Sequence, residues 1–518
     1  MSGAIGQRGL AVIILSGCLV PLLPVALIPL PPLLDYPNHL ARLWLIAGGA
    51  AGTPLEHVYA VDWSLAWVNI GIDLIARGLS PVVGHGSIGR LCIALAMLLP
   101  ALGFVLLGRI IAGQWHPLLL LGPLLSANAL LALGFLNHQI SVGLALLFAT
   151  ADTIWRAGPW VKSIPRVVAG ALIAIVHPFG AFAYATVLAC LSVGILRPSR
   201  PGFVVAMARA ALAAAPALAA VIILAAMAPH LPGGDPRTTT PGWVYDIETK
   251  FIGFLFGIVS YDPAWEIVLA AILGWFVVLG GLRMYLHAHW GLLIGVAGCA
   301  CLILILPSNI GDGGQMEIRF AGLTILLASL ALLPRPSLHA ISAPLAAALF
   351  LLISARSVYV FERWSQGAQN LAAVEAVLAD LPLGASLLPV HVQFGRNADD
   401  LKLLGVWSTS IHFPTRAIPL RHSFVPNLFS AVGKQPIRVL PPWFARSAPD
   451  GVLPDPYFLT VPMFPELARA FPYLADWRAN FDHVLLVDAA GVEMQASGLA
   501  LVADTGFARL YRVTAPNP

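Results

Sequence analysis

Long apolar runs recur along most of this chain, and they limit the folds that it can adopt more than any other feature. A helix of about 20 apolar residues crosses the hydrocarbon core of a membrane. Seven runs have this character: 10–30, 89–109, 203–228, 264–283, 289–306, 319–333 and 338–358. Only 10% of the residues are charged, against about 25% in soluble domains. The sequence therefore predicts an α-helical polytopic membrane protein.

Shorter apolar segments leave alternatives open. Residues 62–83 carry three charges, so they fit a helix lying on the membrane surface as well as a span. Residues 166–196 exceed one simple crossing and are interrupted at 177–180, which predicts two half-helices meeting at a turn. Two further segments predict a short hairpin around residues 134–139, namely 117–134 and 138–153. With half-helices counted separately, we expect about eleven membrane helices.

Basic residues between the apolar runs give the orientation. If 62–83 lies on the surface and 166–196 is a hairpin, one side collects Arg109, Arg156, Lys162, Arg166, Arg197, Arg200, Arg209, Arg283 and Arg335. The alternative topology places Arg156, Lys162 and Arg166 on the external side. We therefore expect a cytoplasmic N-terminus. The external face then holds the C-terminal region and four loops: 31–88, 134–139, 229–263 and 307–318.

The chain after Trp364 has a different composition. It holds 11 of the 29 basic and 12 of the 25 acidic residues. An amphipathic helix, two short strands and a hairpin are predicted at 366–381, 386–390, 482–487, 499–503 and 507–513. The sequence thus predicts a transmembrane domain, 1–364, with its first external loop at 31–88, and a small C-terminal α/β extracytoplasmic domain, 365–518. The loop 229–263 is expected to contain one interfacial helix, 247–259.

Several function classes lack their motifs. The sequence has no Walker loop, dinucleotide fingerprint, zinc-protease motif or nucleophile elbow. It has no basic cluster dense enough for nucleic acid, and its five cysteines lie in apolar runs, so no disulfide framework or thiolate metal site is predicted. Histidines near span ends are interpreted as interfacial: His85, His116, His287, His289 and His339. His391 and Asp399-Asp400 are interpreted as solvated, so a hydrolase in the tail is not favoured.

The stretch from Pro31 to Arg42 follows the first apolar run directly. Its prolines end the helix, because proline lacks an N–H group and clashes with the preceding turn. Asp35 is thereby placed at the membrane boundary, with Asn38, His39 and Arg42 close by on the next helix. Charges in such a place are costly unless they pair or bind something. One interpretation is a capped helix with an Asp35–Arg42 pair, and the other is a catalytic or ligand-binding loop.

Several charged and polar residues lie in loops that the predicted topology places on the same external face, which favours the functional interpretation. A carboxylate can act as the general base for an acceptor hydroxyl or amine. Arginines form bidentate hydrogen bonds with phosphate oxygens. Together these are the groups needed to transfer a group from a lipid phosphate at the bilayer edge. We therefore predict Asp35 as the catalytic residue. The predicted substrate-binding residues are Asn38, His39, Arg42, Asn137, His138, His177, Glu317 and Arg319.

The layout resembles the GT-C superfamily of integral membrane glycosyltransferases. The resemblance rests on a long first external loop with an acid just past the membrane, in Leu34-Asp35-Tyr36-Pro37-Asn38-His39, followed by many spans and a C-terminal external domain. It implies transfer of a sugar from a polyprenyl phosphate donor to an extracytoplasmic acceptor in a bacterial inner membrane. It also implies that Asp35 matches the family's first-loop acidic residue.

Two features of the oligosaccharyltransferase branch are missing. Asp35 has no second acid beside it, so the acidic pair that binds a divalent metal is absent, and no cofactor is predicted. The tail also lacks the tryptophan–aspartate motif that reads an acceptor sequon. The alternative function is a non-catalytic component that binds or transports a lipid-linked saccharide. A transporter is expected to have paired broken helices in two corresponding halves, whereas only the break at 177–180 is found.

Overall fold

The structure, a computed structural model, describes residues 6–194, 200–227, 229, 250, 253–281, 284–309, 314–392, 400–403 and 407–514. Helices predominate: α1 (Gln7–Leu19), α2 (Leu23–Leu27), α3 (Tyr36–Ile46), α4 (Gly71–Leu79), α5 (His85–Ala112), α6 (Leu121–Leu124), α7 (Ala129–Ala132), α8 (Leu136–Ile154), α9 (Pro159–Val176), α10 (Pro178–Val193), α11 (Arg200–Met227), α12 (Pro263–Gly281), α13 (Trp290–Ile305), α14 (Met316–Leu330), α15 (Ser342–Leu378), α16 (Ala417–Arg421), α17 (Pro465–Ala470) and α18 (Trp477–Asn480).

The strands are short: β1 (Tyr59–Val61), β2 (Leu286–Ala288), β3 (Leu332–Pro334), β4 (Leu387–His391), β5 (Lys402–Leu403), β6 (Trp407–Ser408), β7 (Ile437–Val439), β8 (His483–Val487), β9 (Leu499–Asp504) and β10 (Ala508–Val513). The largest sheet has the order β4-β8-β10-β9. In it β4 runs parallel to β8, and β10 is antiparallel to both β8 and β9. The predicted C-terminal strands and hairpin are thereby confirmed.

Several helices are long and apolar enough to cross a membrane. Each predicted span overlaps a helix, and in the part of the chain that the structure describes five stretches meet both criteria: 7–27, 85–112, 159–176, 204–224 and 336–378. Shorter apolar helices occupy 117–132, 178–193 and 290–305. The protein is therefore a helical, multi-pass membrane type with a small C-terminal sheet. The expectation of eleven membrane helices stays a prediction.

Two segments differ from the expectation. The helix predicted at 366–381 is present up to Leu378, but it continues directly from the preceding span, because α15 runs unbroken from Ser342 to Leu378. The sequence contains no proline between 345 and 378 that would stop a helix. The region 62–83 forms only one 3₁₀ turn, Trp63–Leu65, and the nine-residue helix α4, which is too short to span a membrane. Of the interfacial helix predicted at 247–259, residues 247–249 and 251–252 lie outside the described residues, and Gly253–Gly257 forms a 3₁₀ helix.

Contacts between residues divide the chain into two compact units. Unit 1 comprises 1–27, 92–228 and 240–361, and unit 2 comprises 28–91, 229–239 and 362–518. The first loop thus groups with the C-terminal region, whereas the sequence placed it with the transmembrane domain. Their shared core explains this grouping: Leu55 and Val58 of the loop are packed with Leu388 and Val484 of the tail. Strand β1 of the loop also pairs with β7 of the tail.

Unit 1 is organised around α10, which packs against α8, α9, α11 and α13. The break between α9 and α10 lies at His177, where the sequence predicted it, since Pro178 follows at the first position of α10. Gly180 makes the contact with α8 possible, because a Cβ atom there would lie 2.3 Å from Oγ of Ser141. This close approach brings the start of α10 next to the start of α8.

Candidate active site

Asp35 lies at the start of α3, immediately before its first helical residue. The preceding prolines end in a tight turn in which the Tyr36 N–H group donates to the Leu33 carbonyl at 3.2 Å. The carboxylate makes no capping hydrogen bond to the helix. Instead, its Oδ1 lies 3.5 Å from Nε2 of His412, and the Asp35 side chain is 16% exposed. The acid predicted as catalytic therefore remains partly accessible within unit 2.

Asn38 orients His412 beside Asp35. The Asn38 amide donates from Nδ2 to the Asn427 carbonyl at 2.7 Å, and its Oδ1 accepts from the Phe429 N–H group at 2.8 Å. Nδ2 also lies 3.4 Å from Nδ1 of His412. Because an amide NH₂ group can only donate, Nδ1 of His412 is the acceptor, and the hydrogen of the neutral ring is on Nε2, facing Asp35. Asn38 is thus a positioning residue whose amide is already engaged.

His412 is neutral in this environment. It lies in the 3₁₀ segment Thr409–Arg416 and is buried. Burial, followed by the neighbouring His391, lowers the pKa of the His412 imidazole to about 3. His39, one residue after Asn38, is half-buried, and its ring lies 5.8 Å from that of Phe429. His412 was not predicted from the sequence, because nothing local links it to Asp35.

Arg42 forms an ion pair with Asp73 of α4. Its Nε and Nη2 atoms donate to the two carboxylate oxygens at 2.6 and 3.3 Å. The side chains are 1% and 0% exposed. The Asp35–Arg42 pair considered from the sequence is therefore wrong as a description of Arg42. This guanidinium holds α3 against α4 through Nε and Nη2, whereas its Nη1 atom is buried without a hydrogen-bond partner.

A second buried polar cluster lies in the tail. Nε2 of His391 is 2.9 Å from Oγ of Ser410 and 3.0 Å from Oγ of Ser408. His391 and Asp400 are 2% and 4% exposed, so the interpretation of these two residues as solvated is wrong; Asp399 lies outside the described residues. Burial lowers the pKa of His391 to about 4. Burial raises the pKa of Asp400 to about 7, with the Ser408 hydroxyl opposing the rise and Asp488 adding to it.

Asp400→Asn is expected to stabilise the protein more at pH 8 than at pH 5. The folded-state pKa of Asp400 is raised from 3.8 to about 7, so between these values the unfolded chain ionises while the folded protein keeps its proton. The free energy of unfolding therefore falls as pH rises through this window. Each pKa unit corresponds to about 1.4 kcal/mol. Melting temperatures of the full chain and the variant, measured from pH 5 to 8, check this.

The difference in melting temperature between Asp400→Asn and wild type separates the effect of Asp400 on stability from the effects of the histidines. His391 and His412 have lowered pKa values, so both proteins lose stability as pH falls below about 6.5, the ordinary pKa of histidine. Asp380→Asn is the matched control, because this carboxylate is exposed. A constant gap between Asp400→Asn and wild type across the pH range contradicts a buried, protonated Asp400.

In unit 1, Arg319 lies between His138 and His177. Its Nη1 atom is 3.2 Å from Nδ1 of His138 and 3.3 Å from Nε2 of His177. Nε donates to the Gly314 carbonyl at 3.1 Å, and the guanidinium stacks 4.3 Å from the Phe135 ring centroid. These three predicted residues come from α8, the α9–α10 break and α14. The structure therefore brings them together although they are far apart in sequence.

The hydrogen-bonding pattern at His177 is incomplete. Its Nδ1 accepts from the Phe179 N–H group at 3.1 Å. A neutral ring then carries its hydrogen on Nε2, which faces an N–H group of Arg319 across 3.3 Å. Two donors thus face each other. An anionic oxygen accepts from two such donors at once in a phosphate-binding site.

Glu317 and Asn137 have different surroundings from Arg319. Glu317 is buried and accepts from the Ser308 hydroxyl at 2.7 Å, while Nζ of Lys250 lies 2.9 Å from the same oxygen. Lys250 also donates to the Ile303 carbonyl at 3.1 Å. This cluster ties the chain before α14 to the end of α13 through Oε1 of Glu317, while Oε2 is buried without a hydrogen-bond partner. Asn137 is buried in the first turn of α8, beside His138.

An apolar cavity adjoins His138. It is lined by apolar side chains of α5, α7 and α14, including Phe104, Leu130 and Leu326, and its polar end is formed by Asn128, His138 and Gln139. The empty space is about 500 Å³, including its opening. Asn128 accepts from Gln139 at 2.7 Å, so these two amides are held to each other. The cavity combines an apolar body with a polar end near Arg319.

Comparisons of this chain with protein-family models, curated proteins and solved structures found no match. In the described part of the chain, no group of three or more histidine, cysteine or acidic side chains is arranged to hold a metal ion. The site is therefore interpreted from its own geometry. Asp35, Asn38, His39 and Arg42 belong to unit 2. The other predicted site residues belong to unit 1: Asn137, His138, His177, Glu317 and Arg319.

Proposed function

We propose that this chain is a GT-C-type membrane glycosyltransferase, which moves a sugar from a polyprenyl phosphate donor to an extracytoplasmic acceptor. One observation carries the proposal: the carboxylate of Asp35 is partly exposed directly after the first apolar helix, beside a neutral His412. Asp35 takes the proton of an acceptor hydroxyl or amine. The acceptor atom attacks the anomeric carbon, the bond from that carbon to the phosphate oxygen breaks, and polyprenyl phosphate leaves with the electron pair.

His412 assists Asp35 without acting as the base itself. Its Nε2–H group points to Oδ1 of Asp35 at 3.5 Å. A donor in that direction stabilises the charged carboxylate and holds it in one orientation. Asn38 keeps the ring in the required tautomer through Nδ1. A base with a fixed orientation is already arranged for the transition state, which lowers the barrier to proton transfer.

The residues around Arg319 support a lipid phosphate as the donor. Arg319 brings a guanidinium between two imidazoles, which are groups that bind phosphate oxygens, and the cavity beside His138 has an apolar lining. We propose a bacterial inner membrane location, about eleven membrane helices and an extracytoplasmic C-terminal region. The distribution of arginine and lysine between the apolar runs supports this orientation.

The purified full chain in liposomes tests the proposal with a polyprenyl phosphate sugar labelled in the sugar, plus an extract of cell-envelope acceptors. A transferase moves the label to the acceptor and releases one polyprenyl phosphate for each sugar transferred. The alternative, a binding or transport component, retains the donor intact. Stoichiometric binding without release of polyprenyl phosphate therefore supports that alternative and contradicts the proposed function.

Arg319→Gln is expected to raise the KM for the donor by about 10- to 100-fold, because a hydrogen bond to a charged group contributes about 1.5–3 kcal/mol. The kcat value should change less, since the donor phosphate is bound before the chemical step as well as during it. Arg209→Gln is the matched control, because Arg209 is exposed on α11. Equal KM values for wild type and Arg319→Gln, measured in the same liposomes, contradict a role in phosphate binding.

A further inference from the structure

A second pocket in unit 1 lies where three candidate spans end. Its lining comes from the start of α1, from the segment after α5 and from the segment before α15: Gln7, Leu10, Gln114, Trp115, His116, Pro334, Leu338, His339 and Ser342. The empty space is about 360 Å³, including its opening. Helices that are apolar enough to cross a membrane end at the boundary between hydrocarbon and water. This pocket therefore lies at the level of the lipid headgroups.

His116 gives this pocket a polar group in need of a ligand. The residue is 5% exposed, and neither of its ring nitrogens has a hydrogen-bond partner. A buried polar atom without a partner costs about 1–3 kcal/mol, and such atoms are rare in folded proteins. Gln7 does not fill this role, since its amide is bound to the Trp115 backbone at 2.8 and 3.1 Å.

The segments that form the pocket carry arginines and no acids. Arg8 and Arg335 are adjacent in sequence to the lining residues Gln7 and Pro334, and the guanidinium of Arg109 lies 5.7 Å from the Trp115 ring centroid. The three segments that form the pocket, 6–10, 109–117 and 333–342, contain no acidic residue. Basic pockets between membrane helices favour anionic headgroups, and tryptophan is enriched at the same level.

We propose that this pocket binds a phosphate group, carried by an anionic phospholipid or present as a free anion. His116 hydrogen-bonds to it from one ring nitrogen. Phosphate favours a protonated imidazole, and the flanking arginines attract the anion to the opening. The pocket shares no lining residue with the Arg319 cluster or its cavity. The inference therefore stands independently of the proposed transfer reaction.

His116→Leu tests the assignment in the detergent-purified full chain. Melting temperature is measured against rising concentrations of short-chain phosphatidylglycerol, phosphatidylcholine and inorganic phosphate. Phosphatidylglycerol is expected to stabilise the wild type, and His116→Leu should weaken that binding by about 10-fold or more, as expected from the loss of a hydrogen bond to a charged group. Without lipid, the variant should melt no lower than wild type, because leucine removes two unpartnered polar atoms.

Comparison of the three probes shows whether the bound phosphate belongs to a lipid headgroup or to a free anion. Stabilisation by phosphatidylglycerol but not by inorganic phosphate assigns the site to a lipid headgroup, and stabilisation by both assigns it to a free anion. His287→Leu is the matched control, because this histidine is exposed and does not line the pocket. The proposal is overturned if His116→Leu and His287→Leu bind every probe as wild type does, or if no probe stabilises the wild type.

Discussion

Asp35→Asn is expected to lower sugar transfer by about 10²- to 10⁴-fold, the usual loss when a general base is removed. Asparagine has the same shape and keeps an oxygen facing Nε2 of His412, which lies 3.5 Å from the carboxylate. The melting temperature should therefore stay close to that of wild type. The measurement is the transfer rate at matched protein level in liposomes, with a purified polyprenyl phosphate sugar as donor.

A structural role for Asp35 predicts the opposite pattern. If the carboxylate only stabilises the start of α3, Asp35→Asn lowers protein yield or melting temperature, while the turnover per folded molecule stays normal. That outcome removes Asp35 from the reaction. Asp380→Asn is the control for the loss of one negative charge, since Asp380 is exposed. It should change neither the transfer rate nor the melting temperature.

The architecture was predictable because its signals are local. A run of apolar residues long enough to span a membrane is visible without knowledge of the rest of the chain, and every such run overlaps a helix. The break at His177-Pro178 and the hairpin around Asp504 also depend on neighbouring residues only. The continuity of α15 was not predicted, because its first part has an apolar pattern and its second part an amphipathic one. A change of pattern does not end a helix unless a breaker residue is present.

The candidate site was predictable only in part, because its partners are distant in sequence. Asp35 and Arg319 stand out as charges next to apolar runs. His412, however, follows Asp35 by several hundred residues, and only the shared core of the first loop and the tail brings them together. His391 and Asp400 are buried beside other residues of the tail, among them Ser408, Ser410 and Asp488. Polar composition predicts exposure, and it fails where polar side chains of one domain pack on each other.

The Arg42–Asp73 pair shows how such a partner changes an interpretation. From the sequence, Arg42 appeared next to Asp35 on the same helix, and a local pair was the simplest assignment. The structure pairs Arg42 with an acid 31 residues away. In the sequence, Asp73 is one of the three charges that make 62–83 ambiguous. Its burial resolves that ambiguity, because the charge belongs to a pair inside unit 2.

Asp73→Ala is expected to destabilise the protein by about 3–5 kcal/mol, because it leaves the buried guanidinium of Arg42 without its counter-charge. Both side chains are at most 1% exposed, so water cannot replace the lost carboxylate. The double variant Arg42→Met with Asp73→Leu removes both charges and should recover most of that stability, since apolar replacement of a buried pair is often neutral. Melting temperatures of the full chain measure both effects.

Asp504→Asn, which breaks the more exposed pair with Arg509, should cost no more than about 1 kcal/mol. If Asp73→Ala costs as little as this control, the pair does not hold α3 against α4.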